Sequence, residues 1–271
     1  MLQFKSRRAF SLVAITLLTT AASPAVRRSA GITFDMESIT SSQMMMPGGG
    51  ASVKLVAKGM VNAKGVMRMD VVTMDAPPGA PAPYGVGDYF LTDEGRTLLV
   101  RPASKTYLDM ADIAGTAMAS LPPALMAQMT IGDITGKTEK LDDGTPIEGR
   151  ATEHYRTTSG YSMNLMGQAL PTTIVADYWA ARLPVKFSNP LVGGSKSPVT
   201  TGPMVELVQK QIDLAPKITD GIVVKSVMST TVSAMGQSIV TTVTSEMKNI
   251  KESDVDDARF VLPEGYTKAM N

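Results

Sequence analysis

The stretch that decides the fold is residues 53–74, VKLVAKGMVNAKGVMRMDVVTM. On both sides of Asn62-Ala63-Lys64-Gly65 the residues alternate at period two, which is typical of β-strands. Asparagine and glycine tolerate the backbone conformations of tight turns. The stretch therefore predicts two antiparallel strands, residues 53–61 and 66–74, joined as a hairpin.

The second of these strands has one apolar and one mixed face. Met67, Met69 and Val71 alternate with Arg68 and Asp70, so the two sets point to opposite faces. We expect the methionine face to point inward. Arg68 and Asp70 should pair on the outer face, where such an exposed pair contributes about 0–1 kcal/mol.

The same alternation recurs along most of the chain. Further strands are predicted at residues 32–40, 88–92, 97–101, 106–109, 131–141, 145–157, 172–181, 223–234 and 237–249. Tight turns are predicted at Asp93-Glu94-Gly95, Asp142-Asp143-Gly144 and Met235-Gly236, because each contains glycine. Strands joined by such short turns are expected to be antiparallel.

Two segments are predicted to be helical. Asp112 could cap a helix over residues 113–121, which Pro122-Pro123 would interrupt before residues 124–129 resume it. The second runs to Leu214 with Pro203 at its first position, and its apolar residues recur at helical spacing. The predicted fold class is therefore β-rich α+β, a single curved antiparallel sheet with about two helices covering its open face.

The N-terminus reads as an export signal. Residues 1–25 combine Lys5, Arg7 and Arg8 with an apolar stretch at residues 9–22 that is too short to span a membrane, and cleavage is expected after Ala25. The arginine pair fits a twin-arginine signal or an ordinary basic region for general secretion, and both routes stay open. We expect a soluble periplasmic protein with one domain, residues 26–271.

Composition excludes several chemistries. The chain has no Cys and a single His, so disulfides, thiol nucleophiles and two-histidine metal sites are excluded. The net charge of +1 becomes −2 when the three basic residues of the signal are removed. The chain therefore lacks the excess of basic residues that is typical of nucleic-acid-binding proteins. We predict no catalytic residues, no metal and no cofactor, with His154 as a partly exposed strand residue.

Methionine is over-represented, with 20 residues in 271. A copper(I) site is one use of thioethers, but the Met residues are scattered and the chain has no Cys to support it. Two other interpretations stay open. Methionine can form a pliable apolar wall that accepts varied partners, or it can fill a core that is poor in Phe and Leu.

Several short motifs suggest a family. They are Gly65-Val66-Met67-Arg68-Met69-Asp70, then Tyr89-Phe90-Leu91-Thr92-Asp93, Leu98-Leu99-Val100-Arg101-Pro102 and Lys105-Thr106-Tyr107, followed by Ile147-Glu148-Gly149, Tyr178-Trp179-Ala180-Ala181, Leu183-Pro184 and a closing Phe260-Val261-Leu262-Pro263-Glu264-Gly265-Tyr266. Their order resembles exported domains of unknown function related to the bacterial lipoprotein carriers LolA and LolB. The resemblance implies an incomplete antiparallel barrel with an apolar cavity that receives acyl chains.

The leading hypothesis is therefore a non-enzymatic periplasmic protein that binds an apolar small molecule, a lipid or an acylated protein. Met67, Met69, Val71, Leu98, Val100 and Trp179 are the candidate wall residues. The alternative is an interaction module of the cell envelope without a small-molecule ligand, which would use a sheet edge or the Met-rich loop around residues 44–46.

Overall fold

A computed structural model describes most of the chain after the predicted signal. It covers residues 28–43, 50–77, 84–93, 96–110, 112, 128–165, 167–188, 204–234 and 236–269. The signal, the Met-rich run and the predicted helix at residues 113–121 lie outside the described residues. No helix in the described ranges is long and apolar enough to cross a membrane.

The described residues form twelve strands, one α-helix and one 3-10 turn. The strands are β1 (Arg28–Gln43), β2 (Gly50–Asn62), β3 (Met67–Asp75), β4 (Tyr89–Asp93), β5 (Arg96–Arg101), β6 (Thr106–Asp109), β7 (Thr130–Ile147), β8 (Arg150–Leu165), β9 (Gln168–Ala181), β10 (Ile222–Ala234), β11 (Gln237–Asp256) and β12 (Thr267–Lys268). The helix α1 is Met204–Leu214, and the 3-10 turn is Asp257–Phe260.

All twelve strands belong to one sheet, in the order β12-β6-β5-β4-β3-β2-β1-β11-β10-β9-β8-β7. Every neighbouring pair is antiparallel except β12 with β6, so the sheet is mixed rather than purely antiparallel. The sheet ends at β7 and β12 and does not close into a barrel. The prediction of a β-rich single sheet is confirmed, but one helix rather than two lies within the described ranges.

The hairpin predicted from residues 53–74 is confirmed. The Gly65 nitrogen donates to the Asn62 carbonyl at 2.9 Å, and the Asn62 side chain accepts from the nitrogens of Lys64 and Val66. Gly65 has a φ of +82°, a conformation that glycine adopts without a steric penalty.

The turn predicted at Asp142-Asp143-Gly144 is wrong. These residues lie inside β7, at irregularities in its pairing with β8, and the chain reverses at Glu148-Gly149 instead. Both turn residues have positive φ, 52° and 71°, which matches the twist of a two-residue hairpin. The carboxylates of Asp142 and Asp143 are exposed on the strand.

The two faces of the sheet carry separate cores. The inner face is defined by a cluster that includes Phe34, Met36, Met69, Leu99 and Met247, all buried. The outer face carries a second cluster of Met60, Tyr89, Leu91, Leu98, Val100, Val255 and Phe260. The strands β4 and β5 are therefore buried on both sides.

Chain segments cover parts of the inner face. Leu183, Val185 and Phe187, which follow β9, pack against the inner core, and the rings of Phe187 and Phe34 stack with centroids 5.9 Å apart. The helix α1 lies over β7 and β8. Its Leu214 carbonyl accepts a hydrogen bond from Thr138, and its Gln211 donates to Ser159 at 3.1 Å.

On the outer face, Arg68 and Asp70 pair as predicted, with 2.7 Å between Nη2 and Oδ1. They are less exposed than expected, at 18% and 26%, because Arg259 of the 3-10 turn also binds Asp70. Arg68 lies over the Tyr89 ring, 3.7 Å from its centroid, and donates to the Arg259 carbonyl. This network fixes the C-terminal segment against the outer core.

Candidate functional site

Charge is segregated between the two faces of the long strands. In β1, β2, β9, β10 and β11 up to Lys248, every described charged side chain lies on the outer face, as follows from strand alternation and the pairing register. These side chains are Asp35, Glu37, Lys54, Lys58, Asp177, Lys225, Glu246 and Lys248. The inner face of the same strands is uncharged.

Beyond the packed core, this uncharged surface continues as a region that we call the inner floor, in which Ala176, Ser226 and Ser245 are buried and the other members are at least partly exposed. Its members are apolar and hydroxyl side chains at inner-face positions of the long strands: Ser38, Thr40, Ser42, Val53, Ile174, Ala176, Ser226, Met228, Thr230, Val232, Ile239, Thr241, Val243 and Ser245. Met228 is 37% exposed and Ile239 is 38% exposed, so the floor presents apolar surface to its surroundings.

Four hydroxyls of the inner floor bond in pairs across strands. The Ser38 and Ser245 hydroxyls are 3.0 Å apart, and those of Ser42 and Thr241 are 3.4 Å apart. Because these hydroxyl groups have partners within the sheet, their burial beneath an apolar ligand leaves fewer polar groups unsatisfied.

The six predicted wall residues do not form one surface. Met67, Met69 and Val71 lie in the inner core, fully or almost fully buried, and Trp179 packs against the same cluster. Leu98 and Val100 belong to the outer core. Val100 pairs with Tyr89, which pairs with Asp70, so this row faces outward.

On β5 the residue that faces the inner core is Leu99. It pairs with Phe90 of β4, which in turn pairs with Met69 of β3. Sequence reasoning could not assign the faces of residues 97–101, because a strand that is buried on both sides shows a continuous apolar run instead of alternation. The inner-floor positions around Met228 lie in a strand predicted from the sequence, but apolar and hydroxyl side chains occur on both of its faces, so the sequence does not single out the inner one.

His154 lies in a compact cluster at one end of β8. Its ring stacks on Trp179, with centroids 4.5 Å apart and planes 7° from parallel. Its Nε2 atom is 2.8 Å from Asp177 Oδ1, and its Nδ1 atom is 3.6 Å from Asp142 Oδ1. The side chain is 15% exposed, in agreement with a partly exposed strand histidine.

Asp177 is the centre of this cluster. Arg156 binds both of its oxygens, from Nε at 2.8 Å and Nη2 at 3.0 Å. Burial alone would raise the pKa of Asp177, but hydrogen bonds from Arg156 and His154 outweigh it and hold that pKa below its ordinary value. Within the described ranges, no group of three or more His, Asp and Glu side chains is arranged to hold a metal ion.

A glycine makes room for the stacked pair. A Cβ atom at Gly144 would lie 2.8 Å from Trp179 Cδ1 and 2.6 Å from the Thr152 hydroxyl. The absence of a side chain in this part of β7 thus permits the indole to lie close to the strand. The cluster ties β7, β8 and β9 together at this end of the sheet.

A shallow depression of about 430 Å³ lies at the β7 side of the sheet. It is lined by Thr135, Gly136, Lys137, Thr158, Ser159, Gly160 and Thr173. It is open to solvent and lined by threonine, serine and glycine residues with one lysine, so it lacks the large apolar side chains expected of the cavity that the family resemblance implies.

No protein family model matches this chain, and no curated protein matches it. Among solved structures, a LolA superfamily protein from Nitrosomonas europaea is similar at 9% identity and a TM-score of 0.32, over 84% of this chain and 90% of that one.

Two further structures are similar at the same level. One is a putative outer membrane lipoprotein-sorting protein domain from Vibrio parahaemolyticus, with 9% identity and a TM-score of 0.27 over 83% of this chain and 86% of that one. The other is lipovitellin, with 11% identity and a TM-score of 0.32 over 84% of this chain and 26% of that one. Values this low establish no family membership.

Proposed function

We propose that the protein is a non-enzymatic binding protein of the cell envelope that holds an acyl chain, from a lipid or an acylated protein, on its inner floor. The observation that carries the proposal is the segregation of charge. In the long central strands, with β11 taken only up to Lys248, every described charged side chain lies on one face and the other face is uncharged.

An uncharged face is what an apolar ligand requires. Burial of apolar surface contributes roughly 25 cal/mol per Å². A charged side chain beneath the ligand would oppose binding, because its desolvation is costly without a partner. The inner floor has no such charge, and Met228, Val232, Ile239 and Val243 supply its apolar contacts.

The two interpretations of the methionines both have a place in this proposal. Met36, Met67, Met69 and Met247 are fully buried and fill the inner core. Met228 instead lies on the inner floor and is 37% exposed. A flexible thioether at that position would adapt to different acyl chains, since methionine packs against irregular partners.

The place of action belongs to the proposal as well. Residues 1–25 carry the pattern of an export signal, and cleavage after Ala25 would release residues 26–271 into the periplasm. The carriers that the sequence motifs resemble handle acylated proteins in that compartment.

The experiment is native mass spectrometry of the chain purified from its own periplasm, followed by extraction of the bound material. A co-purifying lipid and a co-purifying acylated peptide are distinguished by their masses, and either supports the proposal. Repeated preparations without any bound acyl chain, together with no uptake of added fatty acid or phospholipid, would overturn it.

A further inference from the structure

The strand β7 is one edge of the sheet. It is 18 residues long and pairs only with β8 in the described part of the chain. Within the described ranges, no strand pairs with the backbone groups on its other side. Long edges of this kind are a liability that proteins manage with charges, bulges or a partner strand.

The edge is interrupted at both ends but regular in the middle. Its pairing with β8 shifts between Gly132 and Thr135, and again between Lys140 and Asp142. Between these irregularities, residues 135–140 pair without a break with residues 160–155 of β8. One short, regular segment of edge, TGKTEK, is left available.

The segment carries a positive and a negative side chain two positions apart, Lys137 and Glu139, so that two antiparallel copies of it can place opposite charges across from each other. We infer that a second copy of the chain pairs with β7 in antiparallel fashion across a two-fold axis at Thr138. Such an axis is perpendicular to the sheet, so the two sheets join edge to edge with their inner faces on the same side. It places Lys137 of each copy opposite Glu139 of the other.

The two-fold registers next to this one are disfavoured. An axis at Lys137 sets that residue opposite itself, and an axis at Glu139 sets the two glutamates together. Like charges directly opposite each other on a sheet are destabilising. An axis between two residues would pair inner-face positions with outer-face positions, which a ladder does not permit.

Both charges are free to change partners. In the single chain the Lys137 ammonium lies 2.9 Å from Glu139 Oε1, with 66% and 47% of the two side chains exposed. Such a pair contributes little on its own, so exchange for the partner's charge costs little and mainly sets the register. The same register brings Leu141, 44% exposed, opposite Thr135 of the other copy.

The two-fold can be tested directly because the chain has no cysteine. In the Thr138→Cys variant, which gives up the hydroxyl's bonds to Thr157 and to the Leu214 carbonyl, the two introduced thiols would lie opposite each other, with Cα atoms about 4.5–5.5 Å apart, within disulfide range. We expect a covalent dimer on mild oxidation. In the control, Lys140→Cys, the two copies of the residue would lie about 13 Å apart along the strand and should not cross-link.

Charge reversal tests the register without a new bond. In sedimentation equilibrium, Lys137→Glu and Glu139→Lys should each weaken dimerisation on the order of tenfold, and the combined variant should restore it. Lys186→Glu, at a site that is 73% exposed and away from β7, should have no effect. Thermal unfolding of each variant checks that the fold is intact.

Three results would overturn the inference. They are a wild-type chain that stays monomeric at all concentrations, equal cross-linking of the two cysteine variants, and a combined variant no tighter than the single ones. Capture of an extended peptide by a monomeric chain would assign the edge to a different partner. These results do not depend on acyl-chain binding, so the two proposals stand or fall separately.

Discussion

The ring of Phe34 in β1 lies directly over Gly59 in β2. The two residues are cross-strand partners on the inner face, and a Cβ atom at Gly59 would fall 2.2 Å from ring atoms of Phe34. The ring of Phe187 stacks on the ring of Phe34. Gly59 therefore creates the space in which an aromatic residue fits between the sheet and the segment after β9.

Replacement of this glycine should destabilise the protein. Gly59→Ala forces Phe34 away from its position, and such overpacking costs typically about 1–3 kcal/mol. Urea unfolding followed by the fluorescence of Trp179, the one tryptophan of the chain, measures the change. Gly132→Ala is the matched control, because a Cβ there meets no atom within 4 Å. Equal effects of the two variants would contradict the account of the inner core.

The C-terminal turn should depend on Asp70. Its carboxylate accepts from Arg68 and from Arg259, so Asp70→Asn removes charge-assisted bonds that contribute about 1–3 kcal/mol. We expect faster hydrogen–deuterium exchange in residues 256–260 than in the wild type. Lys58→Gln, which breaks a pair whose lysine is 66% exposed, should change stability by only about 0–1 kcal/mol and leave that exchange unaltered.

The His154 cluster predicts a pH dependence. The folded state lowers the pKa of Asp177 below its ordinary value of 3.8, so its ionised form stabilises the fold at neutral pH. That contribution is fully present above pH 3.8 and is lost as the pH falls through the lower folded-state pKa.

The free energy of unfolding of Asp177→Asn should therefore lie below that of the wild type at neutral pH, and the difference should shrink in acid. Unfolding curves across this range measure it. Asp220→Asn serves as control, because its carboxylate is 72% exposed and 3.9 Å from Lys186. A difference for Asp177→Asn that stays constant with pH would contradict the assignment.

The predicted methionine wall should behave as core. Met69 is fully buried, and Met69→Ala should cost about 2–5 kcal/mol of stability through loss of contacts and a cavity. Met69→Leu keeps the volume and should cost less than about 1.5 kcal/mol. If Met69→Leu abolished uptake of a fatty acid while leaving stability intact, the ligand would contact the core methionines rather than the inner floor.

Most of the strands could be predicted from the sequence, because one of their faces is exposed to solvent and the residues therefore alternate between polar and apolar. Residues 53–74 alternate visibly, and their hairpin, turn and facing are confirmed. The rule that a glycine marks the turn was misleading at Asp142-Asp143-Gly144. There the glycine accommodates the Trp179 indole, while Glu148 adopts a positive φ that glutamate rarely takes.

The candidate site was harder to predict because it is built from contacts between distant strands. Leu98 and Val100 belong to a strand buried on both faces, where composition does not show which side points inward. The pairing of β1 with β11 links distant residues, such as Ser38 and Ser245, which are 207 positions apart, and creates the inner floor. Local periodicity contains no information on which strands become neighbours.

The central claim is that an acyl chain binds the inner floor and not the charged outer face. Met228 and Val227 are adjacent on β10 and point to opposite faces, toward Ala176 and Val243 on one side and Asp177 and Thr244 on the other. Met228→Lys places a charge beneath the ligand, whereas Val227→Lys adds one to a face that is already charged.

The most direct measurement is therefore the affinity of these two variants for a fluorescent conjugated fatty acid, with their unfolding curves recorded in parallel. We expect Met228→Lys to weaken binding at least on the order of tenfold, since an unpaired charge is costly to desolvate, and Val227→Lys to bind like the wild type. Equal affinities for the two variants, or a loss only in Val227→Lys, would contradict the claim.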